Sequence, residues 1–370
     1  MHIVWITHRK FDDFCATTPL ALSHGLMQKG FDLTIINPDQ NGQHDAFPWH
    51  HIPIQRSHKR GLQGLSFSKN VKKILRSIAP NFEAAIVDWQ VGYKVISILS
   101  NLAVPVYLMD RSPPADQGIL ASLQWKVWKK SWKTVYDGVA KHGFVVSPKH
   151  ADFVERQLGI ESNNLAVVPA GTVVNSISEN LVKTDNEPWK FVYHGRLDRH
   201  RGILEFMDTV KEMNKQGVDC QLTLIGDGNV TSSVERMCKL FPSLFRFKGQ
   251  MNHNEILKEL SNHHIGVLPM PNRRVWALAS PLKRGEYLAS GLLVVGIDHS
   301  GHRFIDGKKP WMHLFEGPEA VNSIIKFVNS IDSEELTILS SEAKTYAAEY
   351  LGWEHSIQTL AGVLQGDNHE

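Results

Sequence analysis

Two arginines flank a glycine-led loop in Tyr193-His194-Gly195-Arg196-Leu197-Asp198-Arg199-His200-Arg201-Gly202, where an apolar run gives way to a helical pattern. Gly195 permits a tight exit from a strand, the first amides of the following helix point into the loop, and Arg196 and Arg201 add two planar, permanently charged donors. Those groups suit a diphosphate; the plainer reading is a basic, solvated loop. A second segment, Ser280-Pro281-Leu282-Lys283-Arg284-Gly285-Glu286-Tyr287-Leu288-Ala289-Ser290-Gly291, has a good N-cap in Ser280, proline at the first helical position and a glycine stop. A helix packed in an α/β domain has little use for Glu286 unless hydroxyls or cations meet it. The carboxylate therefore reads as an acceptor for the paired hydroxyls of a ribose, against the alternative of a surface ion pair with Lys283 three residues away. A third segment, Ile225-Gly226-Asp227-Gly228, runs a strand into a turn that a nucleotide could approach closely, or that merely ends the strand.

These residues need strands that end in loops and helices that begin there. The first half of the chain supplies candidate strands at 2–7, 31–37, 84–88, 104–110, 143–147 and 165–169, with amphipathic stretches at 19–29, 70–78 and 93–101 between several of them. The alternation restarts with strands at 190–194, 221–225, 245–248, 265–268 and 292–297 and helices at 203–215, 230–240, 254–261 and 281–290. Short buried strands alternating with helices predict parallel sheets with right-handed crossovers. The polar stretch 176–188 reads as a linker, so the chain is expected to form two doubly wound Rossmann-like domains facing a cleft.

Composition bounds the rest. The 370 residues carry 42% hydrophobic and 21% charged side chains, with 40 Lys and Arg against 38 Asp and Glu. A formal charge of +2 argues against a protein that neutralises nucleic acid. Three scattered cysteines (Cys15, Cys220 and Cys238) make neither a disulfide framework nor a zinc site, and a cytoplasmic location is expected. No window is apolar and long enough to span a membrane. No Asp-x-Asp pair occurs, and neither half has the Gly-x-Gly-x-x-Gly fingerprint of a Rossmann oxidoreductase.

The order strand-Gly-Arg-x-x-x-x-Arg-Gly, then Ile-Gly-Asp-Gly, then Ser-Pro-Leu-Lys-x-x-Glu-Tyr-Leu-Ala-Ser-Gly-Leu-x-Val-Val resembles the GT-B glycosyltransferases, in particular the retaining family 4 group, over Lys190 to Asp298. A weaker echo follows in Gly301-His302-Arg303, and Gly352-Trp353-Glu354 looks like the start of the family's last helix. The resemblance implies an acceptor domain at 1–175, a linker at 176–188, a nucleotide-sugar domain at 189–350 and, at 351–370, a helix crossing back to the first domain. It implies that Arg196 and Arg201 hold the donor diphosphate and Glu286 the donor ribose, with Gly195, Asp227, Ser280, Pro281, Leu282 and Lys283 completing the donor site. The chain departs from the family three times. Leu278 stands where a sugar-binding glutamate is usual, Thr7-His8-Arg9-Lys10 where a glycine pair is frequent, and Met109-Asp110-Arg111 where a histidine near the reacting sugar is frequent. Backbone amides around 279–282 are then expected to replace the glutamate. Asp110 becomes a candidate catalytic group facing the anomeric carbon, or a structural turn carboxylate. The expected reaction is metal-independent transfer with retention from a UDP- or GDP-linked sugar, and no cofactor is implied. The rivals are a nucleotide-sugar epimerase of the same fold and a non-catalytic nucleotide-sugar binder.

No acidic residue occurs from 46 to 82 or from 117 to 136. The second stretch sets Trp125, Trp128 and Trp132 at helical spacing among Lys126, Lys129, Lys130 and Lys133, which suits an anionic membrane surface. The alternative is that the indoles pack on the core and the lysines form its wet rim. The membrane reading makes the enzyme peripheral to the inner leaflet and its acceptor a lipid-linked glycan or cell-surface polysaccharide precursor.

Overall fold

A computed structural model of the chain describes residues 1–11, 16–39, 48–59, 62–114, 119–173, 183–184 and 187–366. Cys15 and most of the expected linker lie outside the described residues. The chain divides into two units: Met1–Ala170 with Leu278–Ser280 and Trp353–Glu370, and Gly171–Ala277 with Pro281–Gly352.

The first unit contains β1 (His2–Ile6), α1 (Thr17–Gln28), β2 (Asp32–Asn37), β3 (His50–Pro53), α2 (Gln63–Ile78), β4 (Ala84–Asp88), α3 (Tyr93–Asn101), β5 (Val106–Met109), α4 (Ile119–Tyr136), β6 (His142–Val145), α5 (Pro148–Leu158) and β7 (Leu165–Val167). Its sheet runs β3-β2-β1-β4-β5-β6-β7, with every described pairing parallel. β1 shows why both faces are covered: Val4 and Ile6 enter a core with residues of α2, α3 and α4, while Ile3 and Trp5 enter another with Leu22 and Leu26 of α1. Each such side chain contributes about 1.5–3 kcal/mol on burial. α5 begins as its sequence dictates, with the Ser147 side chain accepting from His150 N, proline next, and Gly159 in the left-handed region at the stop.

The second unit contains β8 (Trp189–His194), α6 (Ile203–Lys215), β9 (Cys220–Ile225), α7 (Thr231–Leu240), β10 (Phe245–Phe247), α8 (His253–Leu260), β11 (Ile265–Leu268), α9 (Arg274–Ala277), α10 (Leu282–Ala289), β12 (Leu293–Ile297), β13 (Met312–Phe315), α11 (Ala320–Asn329) and α12 (Ser333–Tyr350). The strand order is β10-β9-β8-β11-β12-β13, again with parallel pairings. Ile203, Phe206, Met207, Val210 and Met213 form the buried stripe of α6, as their spacing predicts. Asn252 and Glu255 close a capping box on α8. The chain ends in α13 (Trp353–Gln365), part of the first unit, where Ile357, Leu360 and Leu364 join the core beside α1. Gly25 admits that packing, since a Cβ there would lie 2.0 Å from Ile357 Cδ1. β3 and β13 were not expected from the sequence; both are four-residue edge strands with half-exposed centres, so neither carries a continuous apolar run.

The tryptophans of α4 correct the membrane reading. Trp128 and Trp132 are wholly buried, and their indole N–H groups donate to Asp110 Oδ2 at 2.6 and 2.9 Å. Trp132 lies on the Gly143 backbone, where a Cβ would stand 2.1 Å from the ring. Trp125 is half-buried, edge-on to Trp128 at 5.2 Å. Lys126, Lys129, Lys130 and Lys133 are exposed. Trp128 and Trp132 therefore hold the helix to its sheet, while the lysines face outward.

Several histidines are buried in a form that cannot take a proton cheaply. His264 Nδ1 accepts from Lys190 N at 3.1 Å, and the tilted rings of His299 and His302 have centroids 3.7 Å apart. Burial pushes His264 and His299 down to about 4 and His302 well below its usual value. In the unfolded chain His264 and His299 bind protons below about 6.5, whereas the folded protein refuses them until about 4. Stability therefore falls as pH drops through that window, by about 1 kcal/mol per pH unit for each histidine. Thermal melts between pH 7 and pH 4.5 should show a steadily falling Tm; a flat profile would contradict this burial.

Candidate active site

The site is built where β8, β9 and β11 end. Gly195 and Gly226 have φ of +112° and +133°, in the region that favours glycine. A Cβ on Gly226 would lie 1.9 Å from Gly195 O, and one on Gly228 2.2 Å from Leu197 O. Gly195 N donates to Ile225 O and Leu197 N to Asp227 O, both at 2.9 Å. On the other side, a Cβ on Gly202 would stand 2.2 Å from Pro269 O. The Gly-Asp-Gly turn therefore does more than end a strand: its missing side chains let one loop lie directly on its neighbour.

Arg196, Arg201 and Lys283 gather around Tyr193, two residues before Gly195. Arg196 is held in a fork by Asp198, with Nε to Oδ2 at 3.2 Å and Nη2 to Oδ1 at 3.1 Å. Arg196 Nη1 also stands 4.0 Å from Asp227 Oδ2, while Asp227 Oδ1 accepts from Thr231 Oγ1 at 3.1 Å. Asp227 thus orients this loop and is shared between Arg196 and the first turn of α7. Burial pushes the Asp198 carboxyl up, but Arg196, the Asn229 amide and Arg201 outweigh it and hold it below the ordinary range. Arg201 is placed differently. Its guanidinium lies 4.7 Å over the Trp276 ring, and its buried Nε has no hydrogen-bond partner among the described residues. Lys283 completes the group: its Nζ is 5.3 Å over the Tyr193 ring and would lie 2.9 Å from a Cβ on Gly195. α6 starts just beyond, with no side-chain cap on its first amides. Uncapped amides beside fixed cations form a site for an anion with several oxygens.

Glu286 stands beside this group on α10 and is 5% exposed. Its Oε2 lies 3.2 Å from His194 Nε2 and its Oε1 3.6 Å from His253 Nδ1. Burial pushes the carboxyl up, but contact with His194 and the charges of His253 and Lys283 prevail, so it stays ionised below the usual range. Burial conversely pushes the His194 imidazole down. The carboxylate is therefore a fixed acceptor facing imidazoles, with the properties needed to receive hydroxyls. His194, His253 and Trp276 are the members that the sequence reading missed. Only His194 left a trace, as a polar residue ending a buried strand against Gly195.

Two expectations need correction. Ser280 does not cap α10: the N-cap is Pro281, in extended conformation, and the helix starts at Leu282 with no side-chain cap. Ser280 Oγ instead accepts from Ala170 N at 3.1 Å, and Leu278 O accepts from Ser147 Oγ at 2.8 Å. Those bonds draw Leu278–Ser280 into the first unit. Asp110 is 0% exposed, with Oδ2 taken by the two indoles and 3.3 Å from His150 Nε2, and Oδ1 accepting from Ser112 N at 3.1 Å. A carboxylate so enclosed fixes the turn after β5 and does not face a substrate.

Residues 188–328 match the protein family described as glycosyl transferases group 1. No curated protein sequence matches the chain. Among solved structures the chain is similar to a glycosyltransferase from Rickettsia africae, at 12% identity and TM-score 0.72, covering 99% of this chain and 98% of that one. It is similar to a sucrose-phosphate synthase from Thermosynechococcus elongatus at 15% identity and TM-score 0.73, with coverages of 99% and 98%. It is also similar to the Anabaena protein HepE, solved in complex with UDP, at 14% identity and TM-score 0.70, with coverages of 99% and 100%. Two parallel-sheet Rossmann-like units in this order are the GT-B fold. The clustered cations and Glu286 thus lie within the residues that match the glycosyl transferases group 1 family, and the chain has the GT-B fold.

Proposed function

We propose that the chain transfers a sugar from a nucleoside-diphosphate donor to an acceptor hydroxyl, with retention at the anomeric carbon and without a metal ion. The observation that carries this reading is the gathering of Arg201 and Lys283 around Tyr193, beside the Gly195 exit and the uncapped start of α6, with Glu286 in contact with His194. The structure of HepE holds UDP in one form and UDP-glucose in another, which favours a uridine diphosphate donor here. In the reaction the bond between the anomeric carbon and the diphosphate oxygen breaks, and the acceptor oxygen bonds to that carbon. The acceptor proton passes to the leaving diphosphate. Negative charge grows on the diphosphate as the bond lengthens, and Arg201, Lys283, Arg196 and the α6 amides are positioned to stabilise it before reaction begins. Fixed cations supply the compensation that a divalent ion would otherwise provide. Glu286 receives the ribose hydroxyls. With leucine at 278, the backbone amides at the start of α10 take over the contact to the sugar.

The acceptor reading follows from the other unit. α2 packs on α3 and α3 on α4, and these three helices contain no acidic residue. They expose Lys69, Lys73, Arg76, Lys94, Lys126, Lys129, Lys130 and Lys133, with Leu65 and Leu123 more than half exposed among them. Near an anionic leaflet each such cation contributes about 1 kcal/mol. A lipid-linked acceptor presented at that surface fits the face, with lysines and leucines in place of the tryptophans.

Three measurements test these readings. Calorimetry with UDP should show binding weakened tenfold or more in Arg201→Ala and further in Arg196→Ala/Arg201→Ala, as loss of charge-assisted hydrogen bonds of about 1.5–3 kcal/mol requires. Unchanged affinity in the double variant would end the donor assignment. Product analysis with UDP-glucose distinguishes transfer from epimerisation, which alters the nucleotide sugar and makes no glycoside. Flotation with phosphatidylglycerol vesicles should show binding that salt weakens and that Lys126→Glu/Lys130→Glu abolishes; equal behaviour with neutral vesicles would refute the electrostatic docking.

A further inference from the structure

A cavity of about 870 Å³ opens in the first unit, at the edge of the sheet where the strands begin. Lys141 and His142 lie at the start of β6, Leu165 is the first residue of β7, and Tyr107 is the second of β5. These strands pair in parallel, so their N-terminal ends share one edge. Ligands of open parallel sheets sit beyond the opposite, carboxyl ends. The length of β6 sets the cavity about 10 Å from that opposite edge. Its volume falls within the range of about 300–1,000 Å³ that ligand pockets occupy.

The lining mixes hydrogen-bonding and aliphatic groups. Tyr107 is 5% exposed, and its hydroxyl has no hydrogen-bond partner among the described residues. Asn163 and Lys141 are exposed and Asn164 is half-buried, while Leu165 and Val363 of α13 add aliphatic surface. Burial pushes the His142 imidazole down, against a bond to the Asn164 backbone, so the ring is neutral at working pH. Lys141 is then the single charged side chain among the described lining residues. A nucleotide fits this lining poorly. One ammonium does not match a polyphosphate, the Tyr107 ring is buried, and Lys133 Nζ lies 5.5 Å over the Tyr136 ring. An acyl chain would cut the amides and the phenol hydroxyl off from water with nothing in return. A saccharide presents hydroxyls that both donate and accept, beside C–H faces. Side-chain amides, a phenol hydroxyl and aliphatic groups receive that combination.

We propose that this cavity is a saccharide-binding site, remote from the site of transfer, that holds a stretch of the glycan to which the chain adds sugar. Saccharide recognition follows from the lining alone; that the bound glycan is the acceptor rests on the transferase reading above. Holding one stretch of a polymer makes delivery of its end an intramolecular event, so the end stays at high local concentration between turnovers.

The test is calorimetry on the full chain, with maltohexaose, cellohexaose and hexagalacturonic acid as separate probes, each with and without saturating UDP. At least one probe should bind, with the same affinity in both conditions. Lys141→Ala/Asn163→Ala removes two exposed groups and should weaken that binding about tenfold, as the loss of two hydrogen bonds requires, with UDP affinity and Tm unchanged. Tyr107→Phe keeps the ring that stacks on Phe144 and should weaken it about fivefold through the hydroxyl alone. Absence of binding by all three probes, binding that UDP displaces, or binding indifferent to both variants overturns the site. If UDP does not bind the unaltered chain but saccharide binding sensitive to these substitutions persists, the donor reading falls and the site stands.

Discussion

Backbone-to-backbone contact between the loops that follow β8 and β9 is the constraint on which the proposed donor site depends. Gly226 presses on the Gly195 carbonyl so closely that any side chain would collide with it, and a pair of amide-to-carbonyl bonds ties the loops together. Gly202 brings the start of α6 against Pro269 by the same means. Arg196, Arg201 and the first amides of α6 are then fixed relative to one another by main chain. Preorganisation of this kind is what allows charge to stabilise a leaving group without reorganising during the reaction.

The charges are arranged more unevenly than their sum implies. Forty basic against 38 acidic residues leaves +2 overall. Yet the loop after β8 and the face of α2, α3 and α4 are basic, while α12 alone carries Glu334, Glu335, Glu342 and Glu349. Within the donor group the carboxylates have defined partners. Asp198 braces Arg196, and Glu286 is kept ionised by its histidines. Burial governs the rest, turning His194, His264 and His302 into neutral hydrogen-bonding rings. A near-neutral protein can therefore concentrate positive charge locally beside braced carboxylates and neutral imidazoles.

Much of this was legible in the chain itself because local pattern and tertiary role coincide. The stripe from Ile203 to Met213 and the continuous apolar runs of β4 and β11 could only belong to a covered parallel sheet. Arg196, Arg201, Lys283 and Glu286 declared themselves by charge next to glycine exits or a helix start. What escaped was set by distant packing. Trp128 and Trp132 have the spacing of a membrane-facing stripe, and only the position of Asp110 beneath β5 shows that they turn inward. Ser280 has the residue type of an N-cap, but the Ala170 amide claims it. His253 and Trp276 join this group from the first turn of α8 and from the one-turn α9, where nothing in the local sequence marks them, and β3 and β13 are too short and exposed to stand out.

A crystal structure of the chain with UDP tests the central claim most directly. The account predicts the diphosphate against Gly195 and the first turn of α6, in contact with Arg201 and Lys283, with the ribose hydroxyls on Glu286. Density for the nucleotide away from the β8 exit, or a ribose that leaves Glu286 to its histidines, would contradict it.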